Sequence, residues 1–460
     1  MTQPVLIDVD LPEFGEPSVQ PSIPRATYEA RVCAALKRAE AAGFAALAVY
    51  GDREHAANVA YLTGYDPRFE EALLLLVPGL RPALLVGNEG WSYAELAAGS
   101  FDRLLCQTFS LPGQPRGNQL PLPALLAEAG LRPGMRIGAV GWKIFEPSDP
   151  GATEAWLDLP EFIAQALRAI GSVANATALF QNPADGLRAI NEVDQLACFE
   201  FAATYSSSAL KRVLFGLRPG MSELEAARLM ALPGLPLACH TMLSAGERAS
   251  RGLPSPSARI IRQGDPFTMA WGIQGALNAR AGFVVRDASE LPEGIRDYVG
   301  KLAAPYFAAV AAWYRAVGIG TTGGELYAII ERHLGDPFFG VGLNPGHLIH
   351  IDEWMHSPIF PDSTIALRSG MAIQVDVIPA THSPWFTTNI EDGIALADAA
   401  LRADFAAAYP EAWRRIQARR GFMTAMLGLE LKPEVLPFSN IPAYLPPFLL
   451  APGRVLALRE

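Results

Sequence analysis

Residues 345–358 read PGHLIHIDEWMHSP and bring His347, His350 and His356 together with Asp352 and Glu353. Imidazoles and carboxylates at this density can hold a divalent cation, or run acid–base chemistry without one. If 347–356 were extended, His350, Asp352, Trp354 and His356 would share one face and His347 would take the other, so one ion could not collect them all unless the backbone bends. A loop of solvated histidines with no chemical role is the plain alternative. Asp352, Glu353 and His356 read as residues of such a loop or of a cleft mouth.

Two further runs place acids where acids are costly. In GMAIQVDVIP (370–379), strand alternation puts Asp376 on a face with Ala372, Gln374 and Ile378. In NIEDGIAL (389–396), Glu391 shares a face with Asn389 and Gly393. A carboxylate in the company of Asp376 needs a polar partner, since burying a charge without one is unfavourable, whereas the face of Glu391 is more polar.

The elements that must hold these residues fall into two regimes. Up to about residue 182, a helical run at 27–42 alternates with short apolar runs closed by Gly or Pro (FAALAVYG, EALLLLVPG, PALLVGN, RIGAVGW), as buried strands of an α/β domain should be. From 183 to 460, helices stand beside strand-like runs, an α+β pattern. Ser222 with Glu225, and Thr322 with Glu325, each make an S/T-x-x-E helix start. The proline-rich tail LPFSNIPAYLPPFLLAPG is expected to wrap over the domain surface.

Composition narrows the partners. Lys plus Arg total 37 against 47 acids, a net charge of −10, which disfavours nucleic acid and anionic membrane. No apolar run approaches a membrane span, and the N-terminus lacks a secretion signal. Four scattered cysteines (Cys33, Cys106, Cys198, Cys239) suit buried, reduced thiols of a cytoplasmic protein better than zinc or disulfides.

Taken in order, LRAINEVDQL, LRPGMSELEAA, GDPFTMAWG, PGHLIHIDEW, SGMAIQVDVIP and NIEDGIAL resemble the C-terminal domain of the creatinase/prolidase/aminopeptidase P family, the proteins of the pita-bread fold. NVAYLTGYDPRFEEALLLL resembles the same family's N-terminal domain. The resemblance implies a pita-bread catalytic domain over 183–460 behind a creatinase-like α/β domain over 1–182. Metallopeptidases of this family hold two divalent ions with two aspartates, a histidine and two glutamates. By resemblance His347 takes the histidine position, while Asp376 and Glu391 take the two glutamate positions. Both aspartate positions are lost, to Ala270 and to Ala281. A two-ion site is therefore not expected. A single divalent ion on His347, Asp376 and Glu391 is the fallback to no metal at all.

The family's metal-free branch is creatinase. The resemblance thus implies a metal-independent hydrolase or lyase acting on a C–N bond of a small polar nitrogen-containing substrate, with His347, Asp376 and Glu391 catalytic. A prolidase-type or Xaa-Pro aminopeptidase-type metallopeptidase with a reduced metal site is the second reading, and an inactive binding protein the third. Creatinase-like dimers reach the partner's site with a loop carrying an aromatic and an arginine. Here that implies a homodimer in which Tyr65, Arg68 and Phe69 clamp substrate, an arginine fork suiting a carboxylate. His240, His350 and His356 are further substrate-binding candidates.

Overall fold

The computed structural model describes residues 3–117, 120–146 and 148–460. The chain forms two compact units, one of residues 22–189 and one of residues 190–460 joined by the segment up to Pro21. The boundary thus falls at 189/190 rather than 182/183. The N-terminal segment belongs to the second unit because its strand Gln3–Asp8 pairs antiparallel with the last strand, Arg454–Arg459.

In the first unit, six strands run in the order Asp102–Leu105, Ala83–Val86, Ala72–Leu76, Ala46–Gly51, Arg136–Val140, Ser172–Asn175. The four apolar runs of the sequence are its four central strands. Leu47 and Val49 point into one core while Ala46, Ala48 and Tyr50 point into another. Both faces are covered, so the strands read as continuous apolar runs. The two edge strands are less deeply buried and carry no such run.

The second unit is built on an antiparallel sheet ordered His347–Leu348, Ala372–Asp376, Asn389–Leu396, Ala276–Phe283, Pro266–Ile273, Met242–Ala245, with Val435–Pro437 paired to Asn389–Leu396. Helix Val193–Gly216 packs on the Pro266–Phe283 hairpin. Ala304–Ala316 packs against Gly323–Leu334. Each long helix is followed by a turn and a second helix that opens with a complete capping box, Ser222 with Glu225 and Thr322 with Glu325. Each N-cap residue also bridges to an extended segment, Ser222 to Ile260 and Thr322 to Ala366. The same helix–turn–helix device therefore occurs twice, though no repeat is legible in the sequence.

The tail does not lie on the surface. Ile441, Ala443, Tyr444 and Leu445 are fully buried. Buried Arg280 donates to the carbonyls of Tyr444 and Ile441 and pairs with Asp392 at 2.7 Å. The tail is apolar enough to be core, and its free carbonyls are what Arg280 binds. Among the cysteines, Cys33 is exposed and Cys106 is buried. No helix among the described residues is long and apolar enough to cross a membrane.

Candidate functional site

Antiparallel register builds the site. Asp376 lies directly opposite Glu391, and His347 opposite Gln374, two residues before Asp376. Residues two apart on one strand share a face, so His347, Asp376 and Glu391 converge. His347 Nε2 is 3.9 Å from Asp376 Oδ2 and 4.0 Å from Glu391 Oε1. Gly393 permits this packing, because a Cβ there would meet Gln374 Oε1 at 2.8 Å. Gln374 in turn donates to the Leu277 carbonyl at 2.6 Å and lies 3.5 Å from Glu391 Oε1.

A fourth group joins them, Glu353, which the sequence reading left to a solvated loop or a cleft mouth. The strand at His347 ends after Leu348, and the chain turns back so that Leu348 N–H donates to the His356 carbonyl and Met355 N–H to the Leu348 carbonyl. The backbone of 347–356 therefore bends rather than running extended. The reversal carries Glu353 Oε1 to 3.2 Å from His347 Nε2 and stacks Trp354 on the His347 ring, centroids 4.2 Å apart. Glu353 is a site residue, not part of a solvated loop. Its signal was faint because bends carry no periodic pattern.

The electrostatics follow from three carboxylates beside one imidazole. Among the described residues, no lysine or arginine pairs with Glu353, Asp376 or Glu391. Burial pushes the Asp376 carboxyl up to about 6 against the pull of His347. Glu391 is held well above the usual carboxyl range by burial, then by Asp376 and Glu353. Burial also acts on Glu353, but His347 overrides it and keeps that carboxyl low. Burial lowers His347, yet Glu353 and then Asp376 lift it above the ordinary imidazole value. His347 Nδ1 donates to the Leu348 carbonyl at 3.2 Å, so Nε2 is the nitrogen turned to the acids.

The other expected site residues are more dispersed. His350 is fully buried with its ring edge-on to Phe199. His356 is half-buried and its Nδ1 donates to the Ser357 carbonyl. His240 is exposed and bonds the Leu253 carbonyl at 2.7 Å. In the first unit Tyr65 is buried beside Tyr93, Arg68 pairs with Asp66 at 3.3 Å, and Phe69 is 74% exposed.

The donor set discriminates between one ion and two. Ala270 and Ala281 offer only methyl groups, so a pair of ions lacks the bridging anions that would offset its repulsion. One ion fits. His347, Glu353 and Glu391 each present a ligand atom within 4.8 Å of the others. Asp376 Oδ1 is buried without a hydrogen-bond partner among the described residues.

No family model matches the sequence, and neither does any curated protein. Solved structures do match the fold. The prolidase from Thermococcus sibiricus superposes with a TM-score of 0.62 at 18% identity, over 81% of this chain and 95% of that one. The prolidase from Pyrococcus horikoshii gives 0.61 at 16%, over 80% and 95%. An X-Pro aminopeptidase from Thermotoga maritima gives 0.60 at 14%, over 80% and 95%. The fold is that of the pita-bread proteins: prolidases, Xaa-Pro dipeptidases and aminopeptidase P.

Proposed function

We propose that this chain is a hydrolase of amide-type C–N bonds, prolidase-like in frame, whose reduced metal site holds one divalent cation on His347, Glu353 and Glu391. The observation that carries this reading is the convergence on His347 of three carboxylates, those of Asp376 and Glu391 buried and that of Glu353 partly exposed, with no basic side chain among the described residues paired to them. A site so arranged favours a cation or extra protons, and an imidazole with carboxylates suits several divalent metals. That the matching structures are prolidases and an X-Pro aminopeptidase supports the same reaction class over a creatinase-like one.

When bound, such a cation polarises a carbonyl and makes water a stronger nucleophile. The chain's own residues supply the rest. The Leu348 carbonyl orients the His347 ring, and Trp354 covers its face. Asp376, with a carboxyl pushed up to about 6, is tuned to take a proton from the attacking water and return it to the leaving nitrogen. Turnover of Xaa-Pro dipeptides and other small amides, measured after chelation and after reloading, tests the reading.

A second reading keeps the metal out. Glu391, raised well above the carboxyl range, would be the acid and His347 the base of a creatinase-like hydrolase. Ala270 and Ala281 favour it. Turnover indifferent to chelation would select it.

A further inference from the structure

The acidic corner borders an apolar wall. Along the cross-strand register Asp376 faces Glu391, Glu391 faces Ala279, Ala279 faces Ala270, and Ala270 faces Met242. One row on one side of the sheet thus runs from two carboxylates into three apolar side chains. Met242, Ala270, Leu277 and Ala279 form a small cluster of their own, with Cys239 against it. Met242 and Ala270 each keep 8% exposure, whereas Leu243 and Trp271, which point to the other side of the sheet, keep none. The wall therefore lies on the less covered side of the sheet at this point. Cys239, whose thiol is pushed up to about 12 by burial and then by Glu353 and Glu391, marks the border between wall and corner.

We infer that Met242, Ala270, Leu277 and Ala279 form the subsite for an aliphatic group of the substrate next to the scissile C–N bond. The inference rests on the hydrolase reading and adds a substrate class to it. A charged or hydrogen-bonding group on this wall would give up water for methyl groups, whereas an alkyl group gains by leaving water.

The test is saturation-transfer NMR on the full chain with acetamide, propionamide, isobutyramide and isovaleramide as probes. Affinity is expected to rise about three- to fourfold for each methylene buried. Ala270→Asp should flatten the series. Met242→Gln should do so too, and it covers the case in which Ala270→Asp does not fold, folding being checked by melting temperature. A flat series in the unmodified protein, or an unchanged slope in a folded variant, overturns the subsite. Graded binding in a protein that takes up no Mn²⁺ and cleaves no amide keeps the wall and removes the hydrolase reading. Amide cleavage with a flat series does the reverse.

Discussion

Asp376 and Glu391 stand directly opposite one another on neighbouring antiparallel strands, each within about 4 Å of His347 Nε2. Register enforces that meeting, since a slip of one residue would turn one of the carboxyls to the far side of the sheet. Two buried carboxylates so placed cannot both stay ionised without a cation or a proton between them.

His347→Ala should leave the fold intact and lower turnover by about 10²–10⁴-fold. The ring is buried, but its contacts are to the neighbouring Leu348 carbonyl and to the site carboxylates, not to distant parts of the core. Circular dichroism and melting temperature check the fold, and steady-state kinetics the loss. Full-rate turnover by the variant would remove the site.

Glu353→Gln keeps the shape and removes the charge nearest His347 Nε2. Divalent-cation affinity should fall by at least about tenfold, and turnover should fall with it. Calorimetric titration with Mn²⁺ measures the first. Unchanged affinity would return Glu353 to the role of a loop acid.

Sequence alone made part of this site legible. Alternation places Asp376 on a face where an unpartnered acid is costly and Glu391 on a more polar one, and His347 closes a Pro-Gly-His run with family spacing. Glu353 sits in a chain reversal, where no period relates a residue to its neighbours, and only the hydrogen bonds between 348 and 355–356 bring it back. The tail misled for a related reason. Its prolines suggested a surface wrap, but its carbonyls are the acceptors that buried Arg280 requires.

Stability of the chelated protein should fall as pH rises from about 4 through about 6. Asp376 has its folded pKa raised above the unfolded value, so the folded state binds more protons in that window and loses stability as they leave. Glu391 and His347 are raised as well and extend the decline above it. Glu353, lowered, contributes the opposite slope only in the more acidic range. Saturating divalent cation should flatten the decline. A melting temperature that rises with pH across this window in chelator would contradict the charge assignment.

Asp392→Ala should destabilise the second unit by about 3–5 kcal/mol, because it leaves Arg280 buried and unpaired. Asp392 also accepts from Asn278 and from the Ala443 N–H of the tail. Chemical denaturation measures the loss, and limited proteolysis should show early cleavage within the tail. A change below 1 kcal/mol would show the pair to be dispensable.

His347, Glu353 and Glu391 are proposed to hold a single cation. Equilibrium dialysis of chelator-treated protein against Mn²⁺ or Zn²⁺, followed by elemental analysis, tests it most directly. One ion per chain is expected in the unmodified protein and far less than one in Glu353→Gln at the same free metal. Two ions per chain, or none while amide turnover persists, would contradict it.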